Sequence, residues 1–297
     1  MYGTHVIHAA LSCEKRVMIE LIVLINYKTN TPEHLLPIIY IAENKKIKIT
    51  YQNKEKLDRY TGGRPHNGMV LKTLKREYIF SKRLEAIKHK AKLKEKGNLI
   101  VVFDQIVDPQ NFGSIVRTAF FLGADLLIVN KANRPPLSPT VSKVSSGAIE
   151  CLDIYAVKSL KKFLKEAKEE SKYKIITTFI EKEKDVYMRV VRQNDEEEHT
   201  DIDEEEQTNE VQKPISLNEL SLNKNDNVIL IFGSEANGIT PNLMKYSDFN
   251  VFIPPLLNKE YMNKEPYNLI ESLNVGVSAG IIINYIKSHF IEKNTLI

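Results

Sequence analysis

The sequence has no Trp, only two cysteines and no long apolar run. Cys13 and Cys151 are too few for a disulfide framework or a multi-cysteine zinc site. The best candidate for a membrane span, Val17–Ile25, is far shorter than the ~20 apolar residues required and contains Glu20. The beginning of the chain shows neither a signal peptide nor an Arg-rich transit helix. These absences argue against a membrane, secreted or zinc-finger protein and predict a cytosolic or already trimmed chain.

The composition is that of an ordinary globular protein. Of the 297 residues, 42% are hydrophobic and 27% are charged. This length suits about two domains of roughly 150 residues each. The pattern along the chain predicts an N-terminal domain over 1–80, a basic linker over 81–97 and a second domain over 98–297.

The net charge of +4 conceals a strong asymmetry. Asn194–Gln212 contains ten acidic residues and no Lys or Arg, so the remainder of the chain carries a formal +14. Lys72–Lys96 contains ten basic residues and three Glu. A strongly basic body indicates either a polyanionic partner or a solvated Lys-rich surface helix. The acidic tract is of low complexity and predicts a disordered insertion near 192–213.

Short apolar and polar segments alternate through residues 1–80. Val17–Ile25, Leu35–Ala42 and Ile47–Tyr51 are candidates for core strands or helices. Thr61–Pro65 is a loop signal that precedes the apolar Gly68–Leu71. The basic stretch that follows predicts a linker that is helical in its second half.

Continuous apolar runs recur after Gly97 and are typical of buried parallel strands. These runs are Leu99–Phe103, Leu126–Val129, Ile154–Val157, Lys174–Ile180, Val228–Phe232 and Phe249–Ile253. Helical stretches are predicted between them at Ser114–Leu122, Pro139–Ile149 and Ser159–Glu170. This alternation predicts an α/β domain with a mostly parallel sheet.

The first segment with candidate functional residues runs from Asp108 to Ala119, just after a predicted strand. Ser114 is predicted to cap a helix that is apolar nearly all round and therefore buried. Arg117 interrupts that helix, and a buried guanidinium needs an anionic partner or a cleft. Asn111 alone is typical of a turn.

The second segment follows the apolar run Val228–Phe232. Gly233 at the strand end would let a ligand approach bare backbone. Glu235 is either a solvated loop carboxylate or the partner that Arg117 needs. Thr240 and Pro241 predict the start of a helix.

The third segment begins with Ile253-Pro254 at a strand end and continues after a loop. Ser272 is predicted to cap an apolar helix that is rich in small residues. Asn274 is a polar residue in its first turn, and it is a ligand contact, a satisfied buried amide or a capping partner.

Together, in this order, the three segments resemble the motifs of the SpoU (TrmH-like) branch of the SPOUT methyltransferases. This branch transfers a methyl group from S-adenosylmethionine to a ribose 2′-hydroxyl in RNA. The matching motifs are Asp108-Pro109-x-Asn111-x-Gly113-x-x-x-Arg117-Thr118-Ala119, Ile231-Phe232-Gly233-Ser234-Glu235-x-x-Gly238, and Ile253-Pro254 with Ser272-Leu273-Asn274-Val275.

The N-terminal region is similar to the ribosomal-protein-like RNA-binding domain of the large-subunit rRNA members. The similarity rests on Tyr2-Gly3, Ala9-Ala10-Leu11 and His66-Asn67-Gly68. The resemblance therefore covers nearly the whole chain.

The resemblance implies S-adenosyl-L-methionine as cofactor, RNA as partner, a homodimer and a trefoil knot, which is rare among folds. It implies neither a metal nor a membrane. Cofactor contacts fall on Gly233, Ile253 and Leu273. Catalytic or substrate positions fall on Asn111, Arg117, Glu235, Ser272 and Asn274.

Two insertions depart from the family pattern. One is the acidic tract, and the other lengthens the loop Pro255–Glu271 by about ten residues. Both are tolerable, because the entropic cost of closing a loop grows slowly with its length. Pro255 also stands where the family usually has Met. These differences leave the local cofactor and RNA contacts open.

The nearest group acts on large-subunit rRNA, so the resemblance implies a guanosine there as the target. A tRNA substrate and a non-catalytic RNA-binding assembly factor are the alternatives. A mitochondrial or other organellar location is implied, and a cytoplasmic one is the alternative.

The reaction requires a ribose hydroxyl to lose its proton as it attacks a methyl sulfonium. Arg117 would be a poor base, because a guanidinium has a pKa above about 12. We expect it instead to bind the phosphate and stabilise the developing alkoxide, with Glu235 and Asn111 holding its geometry.

Overall fold

The structure, a computed structural model, describes residues 1–179, 212–234, 238–256 and 272–290. These residues form two compact units. Unit 1 consists of residues 1–79, 108–120 and 135–154. Unit 2 consists of 80–107, 121–134 and the described residues from 155 onward. The predicted division into 1–80, 81–97 and 98–297 stays a prediction.

Unit 1 contains a three-stranded sheet and three N-terminal helices. The strands are β1 (Met18–Leu24), β2 (Lys48–Gln52) and β3 (Met69–Thr73). The helices are α1 (Thr4–Cys13), α2 (Leu36–Asn44) and α3 (Lys54–Thr61). The central strand β1 pairs parallel with β2 and antiparallel with β3. Each of the four predicted apolar segments forms one of these elements. Together with α1 they enclose one core, in which Ile7, Leu11, Leu21, Leu35 and Leu71 are fully buried.

Three further helices of unit 1 come from later in the chain. They are α5 (Pro109–Phe121), α6 (Pro139–Val144) and α7 (Ala148–Cys151). A single helix was expected over Pro139–Ile149. The structure instead has two helices, α6 and α7, because Ser146 and Gly147 between them adopt positive φ. The break brings Ala9 of α1 close to Gly147, where an added Cβ would lie 2.7 Å from the Ala9 Cβ.

Unit 2 is built on an eight-stranded sheet. Its strands are β4 (Ile79–Ser81), β5 (Leu99–Phe103), β6 (Leu126–Asn130), β7 (Ile154–Val157), β8 (Lys174–Thr178), β9 (Pro214–Ser216), β10 (Val228–Phe232) and β11 (Phe249–Phe252). The strand order is β4-β7-β6-β5-β10-β8-β11-β9. β10 pairs parallel with β5 and with β8, and β5 pairs parallel with β6.

The helices described in unit 2 are α4 (Leu84–Ala91), α8 (Leu160–Glu169), α9 (Pro241–Met244) and α10 (Val275–Phe290). The amphipathic α8 begins at Ser159, whose side chain accepts a hydrogen bond from the Lys162 N–H. It buries Phe163 and Leu164. In the described residues no helix has the length and apolar character needed to cross a membrane.

The α/β class with a mostly parallel sheet is confirmed. Every residue of β5 and β10 is buried, which explains their continuous apolar runs. Sequence reasoning missed β4 and β9, because three-residue edge strands have too few positions for a pattern. The acidic tract with its predicted disorder lies outside the described residues up to position 211, and so does most of the long loop, from 257 to 271.

Candidate active site

The first motif begins with a helix cap that differs from the predicted one. The Asp108 carboxylate accepts a hydrogen bond from the Asn111 N–H at 2.9 Å, and the Asp108 carbonyl accepts one from Phe112 at 3.0 Å. Helix α5 therefore starts at Pro109, and Ser114 lies inside it. The prediction that Ser114 is the cap was wrong. Asp108 lies directly before the helix, so its carboxylate meets a free N–H group, and its negative charge is favourable at the positive helix end.

Arg117 lies on the solvent-exposed face of α5. The buried face of the helix contains Phe112, Gly113, Ile115, Val116 and Ala119. Phe120 and Phe121 are 46% and 86% exposed. The expectation of a helix buried all round was wrong, because apolar residues in a helix do not all share one face. Within the described part of the chain Arg117 forms no ion pair, and its exposed guanidinium can stay hydrated. The pairing with Glu235 stays a prediction.

The second motif forms a tight loop after β10. The backbones of Ser234 and Gly238 exchange two hydrogen bonds of 2.9 Å each. A Cβ on Gly233 would lie 2.3 Å from the carbonyl carbon and oxygen of Gly238. Gly233 is therefore required by the close approach of the protein's own loop. Glu235 lies outside the described residues.

A buried carboxylate that sequence reasoning missed supports this loop. Asp104 directly follows β5 and is 2% exposed. Its Oδ2 accepts a hydrogen bond from the Thr240 N–H at 2.7 Å. Thr240 occupies the position before α9, as predicted, but its hydroxyl accepts a hydrogen bond from Gln105 rather than from the helix. An Asp immediately after a wholly apolar strand is the signal that could have identified Asp104.

The third motif also has a different cap. The Asn274 Oδ1 accepts a hydrogen bond from the Gly276 N–H at 2.8 Å, and its carbonyl accepts from Val277 and Ser278. Asn274, rather than Ser272, therefore caps α10, and the capping interpretation of its amide is confirmed. Ser272, Leu273 and Asn274 are exposed, and Ile253 is half-buried.

Two of the predicted site residues and the buried Asp104 lie at the carboxyl ends of strands in the unit 2 sheet. Asp104, Gly233 and Ile253 follow β5, β10 and β11, and β8 lies between β10 and β11. Carboxyl ends of neighbouring parallel strands share an edge, which is where ligands bind in open α/β sheets. Asn111 and Arg117 belong to unit 1. In the described ranges no group of three or more His, Cys, Asp or Glu could hold a metal ion.

Replacing Gly233 with Val is expected to abolish S-adenosylmethionine binding in a calorimetric titration. The new side chain would collide with the Gly238 backbone and displace the loop at the sheet edge. The buried β10 should persist, so the far-ultraviolet circular dichroism should stay close to that of the unmodified protein. Unchanged cofactor affinity would contradict the predicted cofactor contact of Gly233.

Comparison with known proteins gives two family matches that together cover most of the chain. Residues 98–284 match the SpoU rRNA Methylase family. Residues 1–79 match the RNA 2′-O ribose methyltransferase substrate binding family.

Individual relatives are similar over nearly the full chain. The mitochondrial rRNA methyltransferase 1 of Saccharomyces cerevisiae is 28% identical over 96% of this chain and 69% of its own length. The 23S rRNA (guanosine-2′-O-)-methyltransferase RlmB of Neisseria meningitidis is 24% identical over 99% of this chain and 96% of its own.

Among solved structures, the AdoMet-bound rRNA methyltransferase from Sinorhizobium meliloti shares the fold. It has a TM-score of 0.65 at 14% identity, and the match covers 98% of this chain and 87% of that one. The family match over 98–284 spans more than half of the 297 residues and contains all three motifs. The chain therefore belongs to the SpoU family of rRNA methylases.

Proposed function

We propose that this protein transfers the methyl group of S-adenosylmethionine to a ribose 2′-hydroxyl of large-subunit rRNA, with a guanosine as the target. The observation that carries the proposal is the family match over 98–284 together with a substrate-binding match over 1–79. The second match favours rRNA over tRNA as substrate, since a separate RNA-binding region is the feature implied for the large-subunit rRNA members.

The residues at the sheet edge fit the proposed cofactor. Gly233 and Ile253 offer backbone groups at strand ends, and Leu273 offers an apolar side chain that is 48% exposed. Backbone hydrogen bonds and apolar contacts are what a nucleoside moiety requires. When bound, the cofactor supplies a methyl group on a positively charged sulfur. The buried Asp104 holds the neighbouring loop by its hydrogen bond to Thr240.

We assign Arg117 to the reacting ribose. Its exposed position in α5 makes the guanidinium available to a phosphate, with which it can form two parallel hydrogen bonds. Such a donor stabilises negative charge as the hydroxyl loses its proton. Asn111, in the first turn of α5, and Glu235, Ser272 and Asn274 complete the proposed substrate contacts. The cap formed by Asn274 holds the start of α10 in place.

We also propose a homodimer, a trefoil knot and a mitochondrial location. The dimer is supported by exposed apolar side chains on α10, where Val277 and Ile281 are 52% and 40% exposed. Their spacing of four residues puts them on one helix face. Exposed contiguous apolar surface is typical of an interface. The location is supported by the name of the yeast relative, which is a mitochondrial enzyme.

Mapping of 2′-O-methyl marks in cells with and without the protein tests the proposed function. We expect one ribose of mitochondrial large-subunit rRNA to lose its mark and to regain it when the purified protein and S-adenosylmethionine are added. Cytosolic rRNA and tRNA are the parallel controls. A mark that disappears only from tRNA, or no change in any RNA, would contradict the proposal.

A further inference from the structure

The only two cysteines of the chain lie side by side in unit 1. Cys13 is the last residue of α1, and Cys151 is the last residue of α7. Their Sγ atoms are 2.8 Å apart, although 138 positions separate them in sequence. A disulfide bond is about 2.05 Å long, so the two sulfur atoms are already close to bonding distance.

The surrounding contacts hold the two helix ends together. Two residues after Cys13, the Lys15 Nζ contacts the Asp153 carboxylate at 2.5 Å. The neighbouring Arg16 donates two hydrogen bonds to Glu150, at 2.7 and 2.9 Å. Both ion pairs therefore join the segment that contains Cys13 to the segment that contains Cys151, within three residues of each cysteine. These contacts join the two segments next to the thiols and place the sulfur atoms side by side.

We propose that Cys13 and Cys151 form a redox modification site, at which a small-molecule disulfide such as oxidised glutathione converts the two thiols into an intramolecular disulfide. Both cysteines are partly exposed, which gives a small oxidant access. The inference rests on unit 1 alone and does not depend on the proposed methyl transfer.

The reaction proceeds by two thiol–disulfide exchanges. The Cys13 thiolate attacks the small disulfide, forms a mixed disulfide and releases one glutathione thiolate. The Cys151 thiolate then attacks the Cys13 sulfur and releases the second glutathione. The protein loses two protons and two electrons, and the oxidant becomes two thiols.

The environment distinguishes the two thiols. Burial, followed by the contact with Cys13, raises the pKa of the Cys151 thiol to about 12. Cys151 is therefore a poor nucleophile towards solutes, and we assign the first attack to Cys13. The closeness of Cys151 to the mixed disulfide offsets its small thiolate fraction in the second step, because the step is intramolecular.

The disulfide would join the two family-matched regions of the chain. Cys13 lies in the region that matches the substrate-binding family, and Cys151 lies in the region that matches the methylase family. A cross-link across 138 positions restricts the unfolded chain strongly. Oxidation should therefore raise the melting temperature of the full-length protein by roughly 5–10 °C.

The test compares the full-length protein after incubation with oxidised or with reduced glutathione. Blocking with an alkylating reagent, followed by intact mass and peptide mapping, should show two alkylated cysteines in the reduced sample. The oxidised sample should contain none, a mass lower by two hydrogen atoms, and a linked peptide pair containing Cys13 and Cys151.

Two variants serve as matched controls. Cys151→Ser should stop at a glutathione adduct on Cys13, and Cys13→Ser should remain reduced, and neither should gain thermal stability on oxidation. Three results would overturn the proposal: two alkylatable thiols after oxidation, a stable glutathione adduct in the unmodified protein, or a disulfide that links two chains.

Discussion

Arg117→Ala is expected to lower the single-turnover rate of methyl transfer by about 10²–10³-fold, which is typical for loss of one donor to a developing oxyanion. Affinity for S-adenosylmethionine should change by only a few-fold, since the proposed contact is to the RNA. Arg117→Lys should restore little, because an ammonium cannot reproduce the two parallel hydrogen bonds of a guanidinium.

Because Arg117 is exposed, its substitution separates an effect on catalysis from an effect on stability. Its side chain is exposed, so its truncation should leave the melting temperature nearly unchanged. Lys165→Ala, which removes another exposed helical cation, is the matched control and should methylate at the unmodified rate. An Arg117→Ala protein that melts early yet methylates normally in the cold would contradict the catalytic assignment. Normal methylation by a stable variant would contradict it equally.

Glu150→Ala is expected to lower the free energy of unfolding of unit 1 by about 3–5 kcal/mol, the range found when one partner of a buried ion pair is removed. Glu150 is 1% exposed and accepts hydrogen bonds from Arg16 and from the Ser142 hydroxyl. The side chain of Arg16 is only 3% exposed. The substitution would strand this buried cation.

A second buried cation adds to the expected effect. Arg76 lies 3.9 Å from Glu150 and donates hydrogen bonds to the carbonyls of Ile149 and Leu152. Burial lowers the pKa of the Arg76 guanidinium, and the Glu150 carboxylate acts in the opposite direction. Removal of Glu150 would therefore leave the charged form of Arg76 less favourable.

Urea unfolding followed by circular dichroism and Tyr fluorescence measures the loss, since the chain has no Trp. Lys15→Ala is the matched control, because within the described residues Lys15 pairs only with the Asp153 carboxylate, which is 41% exposed. Exposed pairs contribute about 0–1 kcal/mol. The double variant Arg16→Ala, Glu150→Ala should lose less than the sum of the single variants. Equal losses for Glu150→Ala and Lys15→Ala would contradict the buried-pair account.

The strands were the most predictable part of the fold. Val228–Phe232 is apolar at every position because β10 lies in the middle of the sheet, between β5 and β8. A continuous apolar run of this kind is typical of a strand that is buried on both faces of the sheet. The location of Gly233 at a strand end followed from the same pattern. The exposure of Arg117 did not, since it depends on which face of α5 is covered.

Helix caps were less predictable, because several residues that can cap lie within a few positions of each helix start. Asp108 and Ser114 competed for α5, and Ser272 and Asn274 for α10. Only the backbone geometry decides which oxygen meets the free N–H groups. The Arg16–Glu150 pair was missed for a different reason. Its members are 134 positions apart, and local patterns contain no information about such a pairing.

The interleaved order of the units along the chain has a consequence during synthesis. Arg16 and Arg76 leave the ribosome well before Glu150, which closes their shared cluster. At about 5–20 residues per second, the stretch from position 80 to 154 requires roughly 4–15 s. During this interval the first 79 residues lack the helices α5, α6 and α7 that complete unit 1. The nascent N-terminal segment therefore reaches its final packing only after Glu150 has been translated and has left the exit tunnel.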